Sequence, residues 1–557
     1  MPIIVGALAL IAFHSISEWW QRRTELARIR REWGRPRLKT ADMPAIASYH
    51  RALTTPHPDD SLDRRTWHDL DLDIVFGEID RTESSVGQQR LYHRLRSVSS
   101  IDTVEAFEAI VDRFSRDRAQ RERCQLALAR LGSASGYQVW SLAQPESLVM
   151  RPWYVVFPLA AAAMAALLAL SLISPGLILL LAIAGPLMLV VRAASARRIG
   201  RLIDAFRYVG PLIATAAALR TLVDSDNETL TAALRDDAGQ LAALRVLSGW
   251  LTRDSVTTDP LTGVLIELLN TLFLLDANML LCGGLQLKRR GPALQRVLAG
   301  VGEIDAALAI ASYRAGLDGW TRPRFRAPGS SIAIRGLRHP LFVEAVPNSI
   351  DLAPPHGVLI TGSNMSGKST FLRSIGLAGV LAQTIHTCTA AGYDAPRLRV
   401  RSCIGRADSL LDGKSYYLDE VEAVVGVVRA SISEQTHLFL FDELFRGTNA
   451  VERIAASEAT LRELAMTTHV VIAATHDLEL VQWLDGSYAP FHFTDRIEPG
   501  GLVFEYKLTK GVSTTRNAIA LLELNGAPPT LVARARARAE RLTADERLPT
   551  TPDATTS

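Results

Sequence analysis

The stretch TGSNMSGKST runs from Thr361 to Thr370 and fits the pattern G-x-x-x-x-G-K-[ST]. It follows the apolar run GVLI (357–360), typical of a strand, and precedes TFLRSIGLAGVLAQ (370–383), typical of a helix. In such a strand, loop and helix, glycines let backbone N–H groups face phosphate oxygens, and the helix presents its positive end. The pattern therefore predicts a phosphate-binding loop in an α/β domain.

Two side chains of this loop indicate which phosphate compound it binds. Lys368 would place a cation at the β- and γ-phosphates, and the Ser369 hydroxyl can ligate Mg²⁺. ATP and Mg²⁺ are therefore the expected cofactors. The predicted binding residues are Gly362, Ser363, Asn364, Met365, Ser366, Gly367, Lys368, Ser369 and Thr370.

Two further apolar runs end in polar residues that suit ATP hydrolysis. HLFLFDELFRGTN (437–449) places Asp442 and Glu443 at the end of a short strand. Asp442 is predicted to hold the metal ion with Ser369, and Glu443 to deprotonate the attacking water. HVVIAATHD (469–477) ends near His476, which could sense the γ-phosphate. Three such motifs at strand ends, in this order, predict an ATPase.

Composition narrows the remaining possibilities. The chain has 557 residues, a net charge of +3 and four cysteines that form no CxxC pair. The near-balanced charge gives no global argument for nucleic acid, so any basic surface must be local. The scattered cysteines favour reduced thiols, a cytosolic location for most of the chain and no zinc site.

One long segment has the composition of a membrane hairpin. No charged residue occurs from Trp153 to Val191, about twice the ~20 apolar residues that one helical crossing needs. Ser174-Pro175-Gly176 interrupts it with a turn signal. Arginines on both flanks predict that both ends face the cytosol. The alternative is a buried helix pair of a soluble domain, but neither half shows the polar stripe expected of one.

Two other apolar segments show weaker membrane signals than this hairpin segment. Residues 1–17 are uncharged and could form a short membrane anchor, followed by the basic segment Gln21–Lys39. That segment could attract anionic lipid or nucleic acid, and its place beside an anchor favours lipid. Leu261–Gly283 is also apolar, but it contains Glu267 and Asp276, so a buried helix of a soluble domain is expected there.

Taken together, GSNMSGKSTFLR, RADSLLDGKSYYLDE (406–420), DELFRGTN and ATH resemble the MutS family of DNA mismatch-repair ATPases. The resemblance implies a dimer, here a homodimer, with composite ATP sites and DNA as partner. It implies that Gly413 and Ser415, in DGKSYY, reach the partner's γ-phosphate, so Ser415 joins Glu443, Lys368 and His476 as a catalytic residue. GLRHPLF (336–342) and VPNSIDL (346–352) resemble family segments near the adenine, which implies that His339 and Asn348 contact the nucleotide.

One apparent match is rejected. In MutS, a Phe-x-Glu motif in a separate N-terminal domain wedges beside a mispaired base, and this chain contains FGE at Phe76–Glu78. Here the FGE lies within DLDLDIVFGEIDRTESSVGQQRLYHRLRS (69–97), which resembles the start of the family's helical core domain. We therefore predict that Phe76 packs in a core, and that the chain is a membrane-associated relative lacking the mismatch-recognition domain.

The predicted fold is an α/β P-loop NTPase domain, of the ABC-ATPase-like MutS type, preceded by a mostly helical core or lever domain that a transmembrane hairpin interrupts. The predicted location is the cytoplasmic membrane, with several crossings and the ATPase domain in the cytosol. The predicted function is a membrane-tethered ATPase acting on mismatched or branched DNA. The alternatives are a nucleotide-switched scaffold that binds a protein without DNA and, less favoured, an ABC-type transporter.

The sequence divides into six predicted segments. They are an anchor with a basic helix (1–45), two parts of the core (46–150 and 196–325) around the hairpin (151–195), the ATPase domain (326–545) and a disordered tail (546–557).

Overall fold

The chain forms two compact units. A computed structural model describes residues 2–37, 42–54, 61–132, 134–144, 152–222, 230, 232–251, 260–353, 357–363, 365–404, 416–498, 501–512, 519, 522–523 and 526–545. The helical unit comprises Met1–Ser61 and Asp73–Asp318, and the α/β unit comprises Leu62–Leu72 and Gly319–Ser557.

In the described part of the chain, the named strands all lie in the second half, where they alternate with helices, and the first half is helical. The helices are α1 (Pro2–Glu32), α2 (Met43–Thr54), α3 (Arg64–Asp69), α4 (Leu72–Ile79), α5 (Ser85–Arg96), α6 (Ile101–Arg116), α7 (Arg118–Leu128), α8 (Val139–Leu142), α9 (Val156–Ile173), α10 (Ile178–Leu222), α11 (Ala242–Leu251), α12 (Pro260–Phe273), α13 (Leu275–Ala315), α14 (Lys368–Ile385), α15 (Tyr416–Ala430), α16 (Ala450–Ala465), α17 (Leu478–Trp483) and α18 (Pro529–Asp545). The strands are β1 (Arg324–Arg326), β2 (Ile332–Leu337), β3 (Asn348–Leu352), β4 (Gly357–Thr361), β5 (Gly392–Pro396), β6 (Arg399–Cys403), β7 (His437–Asp442), β8 (Val470–Ala474), β9 (Ala489–Glu498) and β10 (Gly501–Lys510).

Charged residues on α13 hold the helical unit together. Glu303 accepts hydrogen bonds from Arg90 (2.6 Å) and Arg94 on α5. Burial raises the pKa of Glu303, but the charges of Arg94 and Arg90 outweigh it and hold the pKa at about 2. Near the end of α13, Arg314 pairs with Glu108 on α6 through two hydrogen bonds of 2.7 and 2.6 Å. Glu303 is therefore ionised, and both carboxylates have arginine partners, as charges removed from water require.

A close approach between α5 and α13 depends on a glycine. Asp305 on α13 accepts hydrogen bonds from the backbone amides of Glu83 and Ser84, each 2.8 Å long, at the start of α5. A Cβ added at Gly87 would lie 2.1 Å from the Asp305 carboxylate. Gly87 therefore lets the Asp305 carboxylate contact the positive N-terminal end of α5, where an anion is stabilising.

The FGE sequence lies on α4, and its aromatic ring is in the core of the helical unit. Phe76 is fully buried and packs edge-on against Tyr92, with ring centroids 5.6 Å apart. This burial confirms the prediction that the FGE of this chain belongs to helix packing rather than to a base wedge.

Several arginines of the basic segment are engaged within the helical unit. Arg28 pairs with Glu83 at 2.7 Å, and Arg30 pairs with Glu122 at 2.8 Å. Arg37 also pairs with Glu83, at 2.7 Å. The carboxylate partners of these three arginines lie 46 or more positions away along the chain, so the sequence did not predict the pairs. The contact with lipid or nucleic acid expected of this segment stays a prediction.

Within the described part of the chain, three helical stretches are long and apolar enough to cross a membrane, namely Trp153–Ile173, Pro175–Ser195 and Ile199–Leu222. Only 11% of the first and 6% of the second is buried within the chain, whereas 61% of the third is buried. The first two form the segment predicted as a hairpin; Ser174 lies between them, and the second begins with the short 3₁₀ turn Pro175–Leu177. The third packs into the helical unit.

The apolar stretch around Glu267 differs from the prediction of one buried helix. It consists of α12 and the start of α13, which meet at an angle of 68° at Leu274, whose φ is 48°. Apolar side chains of α12, Val264, Leu265 and Leu268 among them, are exposed. The prediction failed because it treated polar residues as evidence of burial in a soluble core, whereas these residues pair with one another or with arginines of α10 and leave the apolar face uncovered.

The α/β unit contains two sheets. The larger has the strand order β10-β9-β4-β8-β7-β6, in which only the β9–β10 pair is antiparallel. The smaller has the order β1-β5-β2-β3. β4, β7 and β8 are buried along their whole length, as expected of central parallel strands covered on both faces. Helix α14 packs against β6, β7 and β8.

Helix α3 belongs to the α/β unit although it lies early in the chain. Its buried Asp69 accepts hydrogen bonds from the Ser402 hydroxyl (2.8 Å) and the Ile404 amide (2.9 Å). Thr66 accepts a hydrogen bond of 3.0 Å from the Ser402 amide. These bonds satisfy the outer edge of β6, so residues 62–72 complete the sheet. The sequence placed this segment in the helical core, since nothing in its composition distinguishes it.

We expect Asp69→Ala to destabilise the edge of the larger sheet by about 2–3 kcal/mol, because it leaves buried partners without an acceptor. Hydrogen–deuterium exchange of peptides covering β6 and β7 in the purified full-length protein measures this effect. His68→Ala is the matched control, because His68 is exposed on the same helix. Equal protection in both variants would contradict the role of Asp69.

Candidate functional site

The glycine-rich loop between β4 and α14 has the backbone that its sequence predicts. Gly362 and Gly367 have φ values of 146° and 109°, which side-chain-bearing residues rarely adopt. A Cβ added at Gly367 would also lie 3.3 Å from the ring of Tyr506. Met365, at φ 71°, takes the left-handed conformation as well. The loop therefore needs its two glycines, and it leads directly into α14.

Lys368 is folded back over the loop. Its Nζ donates hydrogen bonds of 2.8 Å to the carbonyls of Gly362 and Ser363 and lies 3.4 Å from His476 Nε2. Burial lowers the pKa of Lys368 to about 8, although the carboxylates of Glu443 and Asp442 oppose the shift. The amine is therefore poorly solvated, and an added anion at the loop would favour its charged form.

Ser369 and Asp442 meet although they are 73 positions apart in the chain. The Ser369 hydroxyl donates a hydrogen bond of 2.6 Å to Asp442 Oδ2, at the carboxyl end of β7. Asp442 is buried, and its Oδ1 accepts no hydrogen bond from the residues that the structure describes. The guanidinium of Arg446 lies 3.5 Å from that oxygen. The pair predicted to share a metal ion is therefore assembled, with a buried carboxylate oxygen left to accept a cation.

Glu443 is held between two cationic or hydrogen-bonding side chains. Its carboxylate lies 2.9 Å from His476 Nε2 and 2.8 Å from Arg446 Nε. Burial raises the pKa of Glu443, but the hydrogen bond from His476 and the charges of Arg446 and Lys368 bring it below its ordinary value. The side chain is therefore ionised and oriented, as a proton acceptor must be.

The backbone at Glu443 is unusual. Glu443 and Phe445 have φ values of 56° and 59°, in the left-handed region. The Glu443 amide donates to the carbonyl of Ala474 at 2.9 Å, which extends the β7–β8 pairing by one residue. Residues held in this region cluster at functional sites, where surrounding contacts maintain them. The turn aims the carboxylate of Glu443 at His476, beyond the end of β8.

A cavity of about 770 Å³ lies over the loop. His339 and Asn348, placed near the nucleotide by resemblance, line it. Asn348 bonds to the backbone of β10, donating to the Tyr506 carbonyl (3.0 Å) and accepting from the Leu508 amide (2.7 Å). Its side chain therefore joins β3 to β10. Predicted site residues that line the cavity are Ser363, Met365, Gly367, Lys368, Ser369, Thr370, Asp442, Glu443, His339 and Asn348.

The remaining predicted residues have different positions. Gly362 and Ser366 belong to the loop, and the buried Ser366 hydroxyl has no hydrogen-bond partner in the described part of the chain. His476 reaches the site through Glu443 and Lys368. Asn364, Gly413 and Ser415 lie outside the described residues.

Sequence reasoning missed three residues of the site. Asp495 on β9 accepts a hydrogen bond of 2.6 Å from the Ser363 hydroxyl and so fixes the loop. Phe342 and Tyr506 place aromatic rings in the cavity wall, and Phe342 packs against His339 with centroids 4.7 Å apart. No motif marks Asp495 or Tyr506, because only the pairing of β9 with β4, and of β10 with β9, brings them to the loop.

The sequence of the chain is similar to those of known proteins. The chain is 34% identical over 263 residues to the DNA mismatch repair protein MutS of Thermus aquaticus, covering 46% of this chain and 31% of that protein. It is 32% identical over 273 residues to MutS of Shouchella clausii (strain KSM-K16), covering 47% and 30%. For MutS of Ruegeria sp. (strain TM1040) the identity is 30% over 259 residues, covering 44% and 29%. The chain thus spans about a third of the length of these curated relatives.

The family model described as MutS domain V matches residues 358–543. Over this range, the chain is similar to MutS domain V. The matched range begins within β4 and ends within α18, so it contains the glycine-rich loop and the strand ends that carry Asp442, Glu443 and His476. His339 and Asn348 precede the matched range and enter the same cavity from the smaller sheet and its flanking loop.

The loop geometry predicts opposite effects for two Gly→Ala substitutions. Gly367→Ala places a side chain in the left-handed region and should lower the free energy of unfolding by about 1–2 kcal/mol. Gly426→Ala, inside α15 with nothing within 4 Å of an added Cβ, should raise it by up to about 1 kcal/mol. Denaturant unfolding of the purified protein compares them, and destabilisation by both variants alike would contradict the assigned role of Gly367.

Proposed function

We propose that the chain is a membrane-tethered MutS-like ATPase of the P-loop NTPase class that works as a homodimer on DNA. The observation that carries the ATPase proposal is the convergence of Lys368, Ser369, Asp442 and Glu443 on one cavity, with His476 in contact with Glu443. The larger sheet brings them together from the ends of three adjacent parallel strands. A cavity of about 770 Å³ is within the ~300–1,000 Å³ range of ligand pockets.

The loop supports binding of a triphosphate. Backbone N–H groups at Gly367 and the start of α14 would face a bound phosphate, and the helix end would add its positive partial charge. Lys368 would exchange the carbonyls of Gly362 and Ser363 for phosphate oxygens. Because its ammonium is partly desolvated, a phosphate replaces weak partners with a full negative charge.

The residues present fit Mg²⁺. Ser369 and Asp442 supply hard oxygen atoms, and the buried Oδ1 of Asp442 accepts no hydrogen bond from the described residues, so it keeps acceptor capacity for a cation. Mg²⁺ commonly uses one or two protein carboxylates together with phosphates and water, so this small donor set is sufficient. When bound, the ion would neutralise charge on the β- and γ-phosphates.

Glu443 is the proposed general base. It would accept a proton from water as the water oxygen bonds to the γ-phosphorus and the bond to the β–γ bridging oxygen breaks, releasing ADP and phosphate. His476 and Arg446 orient the carboxylate from opposite sides. At the other end of the cavity, the paired rings of His339 and Phe342 offer an apolar surface for the adenine.

We expect Glu443→Gln to bind ATP but to hydrolyse it at least about 100-fold more slowly, because loss of a general base costs roughly 10²–10⁴ in rate. Phosphate release and binding of a fluorescent ATP analogue measure the two properties separately. Glu434→Gln is the matched control, an exposed glutamate before β7, and should keep full activity. Near-normal turnover by Glu443→Gln would remove Glu443 from the role of base.

The dimer and its composite site rest on the family resemblance. It implies that Gly413 and Ser415 contact the γ-phosphate bound by the partner subunit, and that Arg446-Gly447-Thr448 links the two sites. The pairing of Arg446 with Glu443 supports this link, since any movement of that turn would shift the base. ATP would then close the dimer and hydrolysis would reopen it.

Membrane tethering is supported by the exposed apolar surface of Trp153–Ile173 and Pro175–Ser195. Such a surface is far larger than soluble monomers leave in water. We propose that this pair crosses the cytoplasmic membrane and returns, that the N-terminal half of α1 anchors beside it, and that the α/β unit lies in the cytosol.

DNA binding is proposed from the relatives, whose names describe DNA mismatch repair. We expect detergent-solubilised full-length protein to bind duplex, mismatched and branched DNA, at least roughly tenfold more weakly at 200 mM than at 50 mM salt, because phosphate contacts release counterions. Fluorescence anisotropy measures this, with an uncharged peptide nucleic acid duplex as control. Absence of binding to every DNA at low salt would favour the protein-binding scaffold instead.

A further inference from the structure

The apolar helix α12 lies beside the proposed hairpin. It packs against α9 and α10, and it joins α13 through the 68° break at Leu274. Val264, Leu265 and Leu268 are 69%, 54% and 51% exposed. These side chains continue the exposed apolar surface of the hairpin onto a third helix.

The polar residues in this stretch support the helix break. Asn270 Oδ1 accepts a hydrogen bond of 3.0 Å from the Asp276 amide, and Asn270 Nδ2 donates to the Asp276 carboxylate at 2.6 Å. Asn278 Nδ2 donates to the Phe273 carbonyl at 2.9 Å. Backbone groups freed at the break thus have side-chain partners, and Leu274 itself is buried. A broken helix at membrane depth requires this kind of internal satisfaction.

The charged residues pair with the hairpin helix. Glu267 forms an ion pair with Arg192 at 2.7 Å, and Arg192 also donates a hydrogen bond of 2.6 Å to the Thr271 hydroxyl. Asp276 pairs with Arg207 at 3.2 Å. Arg192 lies near the end of the apolar stretch Pro175–Ser195, at the proposed cytosolic boundary. Intramembrane or interfacial charges are tolerated when paired in this way.

We propose that α12 is a third membrane-embedded element, a helix that enters the hydrocarbon of the cytosolic leaflet without crossing it. The proposal rests on the membrane tether proposed above. At about 1.5 Å per residue the 14 residues of α12 reach about 21 Å, short of the ~30 Å hydrocarbon core. Lipid chains are the occupant that continuity with the hairpin surface favours. The element would couple the long core helix α13 mechanically to the bilayer.

The test is depth-dependent quenching in proteoliposomes made with lipids that carry brominated acyl chains. Full-length protein bearing Cys282→Ser, which removes an exposed native thiol, receives one environment-sensitive fluorophore at Leu268→Cys. Leu187→Cys on the hairpin (60% exposed) is the membrane reference. Val246→Cys on α11 (64% exposed) is the matched control outside it. Val264→Cys gives a second measurement should the Leu268 variant fail to fold.

The expected result is that brominated lipid quenches the α12 sites at least half as strongly as the Leu187 site, while the Val246 site stays near zero. If the Leu187 site is quenched and both α12 sites match Val246, the inference is overturned and the hairpin stands, which leaves a protein or a second copy as the cover of α12. If the Leu187 site is not quenched either, the membrane tether itself fails.

Discussion

The parallel pairing of β4, β8 and β7 is the constraint on which the site depends. Ile360 pairs with Ala474, and Ala474 pairs with Asp442, so the three strands end at one level. The carboxyl ends of parallel strands share one edge of the sheet, and ligands bind at that edge. Every polar side chain that follows one of these strands is therefore delivered to the same place. A shift of one residue in either pairing would turn Asp442 to the other face of the sheet.

At that edge, the charged groups are paired with one another. Lys368 bonds to loop carbonyls, Ser369 to Asp442, and Glu443 to His476 and Arg446. The contacts of Lys368 and of the Ser369–Asp442 pair would have to be exchanged when a nucleotide and its metal enter, because the same atoms are the proposed ligands of phosphate and metal. Binding is then a replacement of internal partners by external ones, so its net free energy is smaller than the gross attraction of the charges. The left-handed backbone at Glu443 and Phe445 marks the turn that such an exchange would move.

In the helical unit, too, the charged side chains of α13 are paired with partners from other helices. Asp305 and Arg314 on α13 are buried and Glu303 is half-buried, and all three meet partners from α5, its N-terminal end or α6. Farther back along the same helix, Asp276 pairs with Arg207 and with Asn270. One long helix thus carries paired charges from the core to the neighbourhood of the apolar hairpin. A stiff element with partners along its length is suited to transmit movement between those regions, which is how α13 enters the proposed mechanism.

The sequence by itself determined the phosphate loop, the acidic strand end, the family resemblance and the apolar hairpin segment. These features are encoded locally, in spacing, strand propensity and charge over a few tens of residues. Tertiary structure alone decided that Asp495 fixes Ser363, that α3 completes the edge of β6, and that Arg28, Arg30 and Arg37 pair with distant carboxylates. It also decided that the polar residues around Leu274 serve a helix break rather than a soluble core. The physical reason is that the role of a polar side chain depends on its hydrogen-bond or ion-pair partner. Partners that are distant in the chain come together only through packing.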